Sequence, residues 1–151
     1  MASLGEDLRT CLVGSTLIAA ASTRWGLARL ADVEGVVEQN TIREKAPRPR
    51  IWFQRDGERE LSDLEADCQA GGLVRSRWAL EVHSDVDEER WAIADAIRRR
   101  LATICHSAMG GRIVQLAAVD DQDDDYFPRG LANEDELFVA ALAVTIFYAS
   151  T

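Results

Sequence analysis

The sequence predicts an α+β domain of two layers: a mostly antiparallel sheet of about five strands with two main helices packed on one face. Three observations carry that expectation. In Leu73–His83, residues Val74, Trp78, Leu80 and Val82 point one way and Arg75, Arg77, Glu81 and His83 the other. A period of two with one polar face marks a half-buried antiparallel strand. In Asp85–Gly110, residues Ile93, Ile97, Leu101 and Ile104 recur at helical spacing, with Trp91 and Ala94 beside them, which makes one buried stripe. Leu137–Ala149 is apolar nearly throughout and rich in Val, Thr, Ile, Phe and Tyr. That content favours a long central strand buried on both faces.

The remaining elements follow in chain order. Residues 3–31 read as helical, because Leu4, Leu8, Cys11/Leu12, Ser15 and Ile18/Ala19 step by three and four. Ser3 followed by Glu6 has the pattern of a capping box. Gly14 weakens the interior by about 1 kcal/mol relative to Ala, and Gly26 offers a second breakpoint. Val36–Ile42 reads as a strand, followed by the connector Lys45-Ala-Pro-Arg-Pro. Pro47 and Pro49 push their neighbours extended and donate nothing to a ladder. Arg50–Arg55 is a strand that ends at Asp56-Gly57, a turn signal. Asp85 or Asp87 can cap the long helix, whose first turn carries acids where the macrodipole favours them. Gly110-Gly111 closes that helix. Arg112–Val119 is the next strand, and an acidic loop joins it to the last one.

A chain of 151 residues is expected to form one domain over 1–151 with a proper core. Its 47% hydrophobic and 28% charged content excludes a disordered chain, a collagen-like repeat and a small disulfide scaffold. The longest apolar run, Leu137–Tyr148, falls short of the roughly 20 residues of a membrane span. Acids precede the first base at the N-terminus, unlike the start of a signal peptide. Cys11, Cys68 and Cys105 are odd in number with no C-x-x-C spacing. They read as reduced thiols of a product made in the cytoplasm, with no membrane partner.

The net charge of −9 is unevenly spread. Between Asp120 and Glu136 lie eight acids and one base, which leaves −2 for the rest of the chain. The stretch from Arg43 to Arg59 holds six bases. An acidic chain is a poor binder of duplex DNA, because phosphate attraction supplies most non-specific affinity. Segregated charge suits contact with a protein partner. Sixteen of the seventeen bases are Arg, whose fork pairs carboxylates bidentately.

No arrangement of residues points to catalysis, a cofactor or a metal. Asp121-x-Asp123-x-Asp125 mimics the start of a calcium loop, but Tyr126 stands where Gly is needed and Ala132 where Glu is needed. A solvated loop or an interface patch fits that stretch better. His83 and His106 belong to no ligand spacing. Cys105 and His106 are adjacent on a helix and point about 100° apart, so they form no nucleophile–base pair. The chain contains no G-x-S-x-G, P-loop or G-x-G-x-x-G. Trp78 and Trp91 fall on faces assigned to the core rather than to base stacking.

The order of these elements resembles the tail-completion, or tail-terminator, proteins of long-tailed bacteriophages and of related prophage or gene-transfer particles. The resemblance rests on the N-terminal helix, Val36–Ile42, the connector Ala46-Pro-Arg-Pro49 and the strand Arg50–Arg55 with Gly57-Glu58. Gly72–Val82, the helix Asp87–Leu101, a Gly-Gly, a strand, Asp123-Asp-Asp-Tyr126 and a final apolar strand complete it. It covers nearly the whole chain; the polar segment 57–71 and the extended acidic stretch depart from it. The resemblance implies a structural protein without catalysis. Such a protein forms a ring, usually a homo-hexamer, on the last ring of the tail-tube protein. It stops tube polymerisation and presents the surface that meets a head–tail connector protein, and DNA passes through without specific binding. It would reside in the tail-neck region of a virion or phage-like particle.

A ring needs two different patches on each subunit. Candidates are the basic residues Arg43, Lys45, Arg48 and Arg50 and the acidic residues Asp120, Asp121, Asp123, Asp124 and Asp125. Two other readings remain: another head–tail connector or neck protein, and a small acidic domain that binds a metal or ligand through Asp120–Asp125.

Overall fold

The computed structural model describes residues 4–22, 36–38, 49–60, 73–110, 112–127 and 137–150. The chain is α+β, with elements in the order α1 (Leu4–Val13), α2 (Thr16–Ala20), β1 (Val36–Glu38), β2 (Arg50–Glu60), β3 (Leu73–Ser84), α3 (Asp87–Thr103), β4 (Ser107–Met109), β5 (Arg112–Phe127) and β6 (Leu137–Ser150). The strands form one sheet in the order β1-β2-β3-β6-β5-β4. The β1–β2 pair is parallel and the other pairs are antiparallel. The expected architecture therefore holds, with the short β4 added at one side.

All three helices contribute to a core on one face of the sheet. Ile51 and Phe53 of β2, Trp78, Leu80 and Val82 of β3, and Leu142, Val144 and Ile146 of β6 join Leu8, Leu12, Ile18, Ile93, Ile97 and Leu101 in it. Register explains the selection. Val82 faces Ala140, Leu80 faces Leu142 and Trp78 faces Val144, so one set of alternate residues from each strand shares the helix side. Each fully buried Leu or Ile adds about 1.5–3 kcal/mol. Such burial holds the five-residue α2, which is too short to persist alone.

The stripe predicted for residues 4–18 is buried, but the helix breaks at Gly14-Ser15. Ser15 leaves the helix and its side chain accepts from Ile18 N at 3.2 Å, starting α2 as an N-cap. Ser3, Gly26 and residues 39–42 of the expected first strand lie outside the described residues.

Four sequence expectations are corrected. Asp56-Gly57 does not end β2. The strand continues to Glu60, with a register shift between Arg55 and Gly57. The extra residue is absorbed as a bulge, which Gly tolerates. The long helix ends at Thr103, not Gly110, because its apolar stripe stops at Ile104 and His106 adopts φ 63°. The chain then turns into β4, whose last residue Met109 pairs with Arg112 of β5, and Gly110 lies in a turn after it. Gly110, at φ 62°, supplies the positive dihedral such a turn needs. The start of this helix also differs: Val86 is the N-cap with no side-chain cap bond. Ser84 Oγ accepts from Val86 N at 2.9 Å and donates to Glu89 at 2.7 Å.

The fourth correction matters most for function. Asp120–Asp125 are not in a loop. They belong to β5, where positions 121–125 pair with β6 from Ala143 to Val139 and Asp120 falls at a register shift. Backbone pairing against the 14-residue β6 overrides the low strand propensity of Asp.

Candidate assembly surface

The sheet face opposite the helices is built from the other set of alternate residues. On β6 these are Val139, Ala141, Ala143, Thr145, Phe147 and Ala149, a row without charge. Val139 and Thr145 are buried, but Ala141, Ala143, Phe147 and Ala149 are half-buried. The expected burial of this strand on both faces therefore holds from Ala140 to Tyr148 on the helix side and only in part on this one. Leu116 and Ile113 of β5 flank the row and are 48% and 39% exposed. Leu116 pairs directly with Phe147.

Charge divides across this face. On the β3 side Arg75 is half-buried and Arg77 exposed, opposite Phe147 and Thr145 respectively. On the β5 side Asp120 is exposed at a register shift and accepts a hydrogen bond from Thr145 Oγ1. Strand positions 121, 123 and 125 pair with Ala143, Ala141 and Val139 on this same face, and position 124 pairs with Ala140 on the helix side. Of the basic candidates, Arg43, Lys45 and Arg48 lie outside the described residues.

Arg50 proves to be a structural residue. It is 1% exposed, its Nε donates to His83 Nδ1 at 2.9 Å, and its guanidinium lies 4.2 Å from the centre of the Trp52 ring. His83 meets Trp52 edge-on at 4.2 Å between ring centres. His83 Nδ1 accepts, so Nε2 carries the proton, and it lies 3.5 Å from Glu81 Oε2. The pairing Arg50↔His83 and Trp52↔Glu81 in the β2–β3 ladder brings these four together. Strand alternation placed His83 and Glu81 on one face. It gave no sign that His83 is buried, because the cover comes from β2.

The hydrogen bond from His83, with the nearby charge of Arg50, holds the Glu81 carboxyl below its usual value of 4.5 against the opposing pull of burial. A lowered folded-state value means that ionised Glu81 stabilises the fold above the ordinary carboxylate range. That contribution is lost as pH falls through the lowered value. Glu81→Gln is expected to reduce stability slightly at pH 7 and to converge with wild type in acid. Urea melts across pH 2–7 would disprove this if the two curves ran parallel.

The other buried charges also have structural partners. Arg90, 4% exposed, donates from Nη1 to Val139 O at 2.8 Å and from Nε to Asp87 at 2.8 Å. It ties α3 to β6 beneath Trp91 and Phe138. Cys11 is buried, which pushes its thiol up despite Arg100 nearby. Arg100 Nε donates to Cys11 O at 3.0 Å, docking α3 on α1. Cys105 accepts from Ala117 N at 3.4 Å at the rim of the core. Cys68 lies outside the described residues. Trp78 is in the core and Trp91 packs against it half-buried, as expected. Among the described residues no three His, Cys, Asp or Glu side chains gather as a metal site, and no helix is long and apolar enough to cross a membrane.

No protein-family model matches this chain, and no curated protein matches it. Among solved structures, its fold is similar to that of a chain in a virion. The match is to a chain in a structure described as the virion of a native gene transfer agent particle, with a TM-score of 0.58. It covers 98% of this chain and 96% of the other, at 12% sequence identity. At that identity the likeness is one of fold, and it runs end to end.

Proposed function

We propose that this chain is a structural component of a phage-like particle, and specifically its tail terminator. In this reading it forms a homo-hexameric ring on the end of the tail tube, stops tube polymerisation and offers the surface that joins a head–tail connector. It acts without catalysis or a cofactor. DNA passes through the ring, and acidic side chains facing the lumen would keep it from sticking. The protein would be made in the bacterial cytoplasm and end in the tail-neck region of the particle. The observation that supports this most is the end-to-end fold match to a gene transfer agent virion chain. The order of sequence elements supplies the finer assignment. A sheet with helices on one face and a half-exposed apolar row on the other fits an assembly part, since such faces mark protein contacts.

The test has two arms. Light scattering over a range of concentration and salt should show a discrete species near six times 16.7 kDa. Added to polymerising tail-tube protein, the chain should limit tube length and sit at tube ends in electron micrographs. Tubes of unchanged length with bare ends would overturn the terminator assignment. Closure of filled heads instead would identify a neck component.

A further inference from the structure

The helix layer carries a second surface, which the ring reading does not use. We infer that the outward face of α3 docks a second copy of this chain in a two-fold, antiparallel contact. Glu88 of each copy meets Arg99 of the other, across a floor of small side chains.

Helical spacing makes the face. Glu88, Ala92, Asp95 and Arg99 follow at steps of four, three and four, so they share one side of α3. Ile93, Ile97 and Leu101 lie on the opposite side and are buried in the core. Glu88, Ala92 and Arg99 are exposed, and Asp95 is half-buried. Beside this face an open groove of about 520 Å³ runs between α2 and α3, lined by Leu17 and Ala20 on one side and Ala92 and Ala96 on the other. Alanines let a second helix approach closely. Leu17, 41% exposed, supplies apolar surface beside the charges, as a protein contact needs.

Charge selects the occupant. The face is acidic at the start of α3, with Asp87 and Glu88 in the first turn, and basic toward its end. Asp87 already pairs with Arg90, whereas Glu88 enters no ion pair among the described residues. Arg99 and Arg98 share the one carboxylate of Asp95, at 3.1 and 3.8 Å, so the basic end keeps a net positive charge. Glu88 and Arg99 stand about 16 Å apart along the helix axis. In an antiparallel copy, with the two-fold axis midway between Ala92 and Asp95, Glu88 comes level with the second copy's Arg99, and Arg99 with its Glu88. Ala92 comes level with the other Asp95 and leaves it room. A parallel copy would set Glu88 against Glu88 and Arg99 against Arg99, which like charge disfavours. The same patch serves both copies, so the contact closes at two. It is therefore distinct from the heterologous contact of a ring and does not depend on it. It doubles whatever species the ring contact builds.

The test is mass by sedimentation at low and high salt over a range of concentration. Wild type at low salt should hold twice as many copies as Ala92→Glu, which sets a bulky acid against Asp95 of the second copy. The ratio reads two against one if the ring needs the tube, and twelve against six if the ring forms alone. Glu88→Arg and Arg99→Glu should each weaken the pairing by about tenfold or more. Mixed one to one, these two variants face each other with opposite charge at both ends and should regain the doubled species. High salt should weaken the wild type. All three positions face away from the core, so circular dichroism melts should stay close to wild type. A wild type of six copies that Ala92→Glu leaves at six overturns this contact while the ring reading stands. A wild type of one copy at low salt overturns it as well. Folded single variants that keep the wild-type mass, or a mixture that stays undoubled, would show that Glu88 and Arg99 do not meet across a boundary. A doubling lost in the variants supports the contact even where tube-capping fails.

Discussion

Gly110→Ala is expected to lower the melting temperature by about 10 °C. Two costs combine. Gly110 holds φ 62° in the β4–β5 turn, a conformation that costs other residues about 1–2 kcal/mol. A Cβ there would also fall inside contact distance of the Asp7 carboxylate. Asp7 is 7% exposed and pairs with Arg112, which in turn lies 5.5 Å from the centre of the Tyr148 ring. The methyl would displace Asp7 and break the pair that joins α1 to the start of β5. Breaking a buried pair costs about 3–5 kcal/mol, because the other charge stays buried. The shared mechanism gives a second readout. Adding Gly110→Ala to Asp7→Ala should cost much less than the sum of the two, since the carboxylate is already gone. Gly14→Ala is the control. The nearest atom to its Cβ is Thr10 O at 3.2 Å and no positive φ is required, so its effect should be small. Thermal melts followed by circular dichroism would refute the account if the two glycine variants melted together.

The parts of this fold that were legible are those where periodicity and burial agree. Trp78, Leu80 and Val82 alternate into the core as their spacing predicts, and Ile93, Ile97 and Leu101 form one helical stripe. The central place of β6 followed from its unbroken apolar character. What was not legible depended on partners distant in sequence. The acidic run looked like a loop because Asp disfavours strands, yet backbone pairing to β6 keeps it extended. Asp56-Gly57 looked like a turn because the same residues serve bulges as well as hairpins. Arg90 looked like one more surface base at the start of a helix. Its burial follows from the carbonyl of Val139, 49 positions away. The charged candidates divide in the same manner. Asp120 is exposed as expected, whereas the cover over Arg50 comes from the β3 ladder. Arg75 and Arg77 were assigned to the polar face from alternation alone. Only the register with β2 and β6 shows that they form a corner facing away from the helices.

Arg50→Glu is expected to destabilise the chain by about 4 kcal/mol, while Arg77→Glu should change its stability by no more than about 0.5 kcal/mol. Both reverse one charge on the same sheet face, so the difference isolates burial. At position 50 the new carboxylate would lose the bond to His83 Nδ1 and the stacking on Trp52. It would also stand near Glu81, whose ionised form relies on His83 and Arg50. A buried carboxylate without a cation would take up a proton or unfold the strand pair. Arg50→Met keeps much of the apolar stem without the charge and should fall between the two. Urea midpoints at pH 7 rank the three variants, and an Arg50→Glu midpoint equal to wild type would contradict the burial. The ranking decides how assembly data are read. A loss of oligomer in Arg50→Glu reports a subunit that no longer folds. The same loss in Arg77→Glu, with its midpoint intact, reports a contact between subunits.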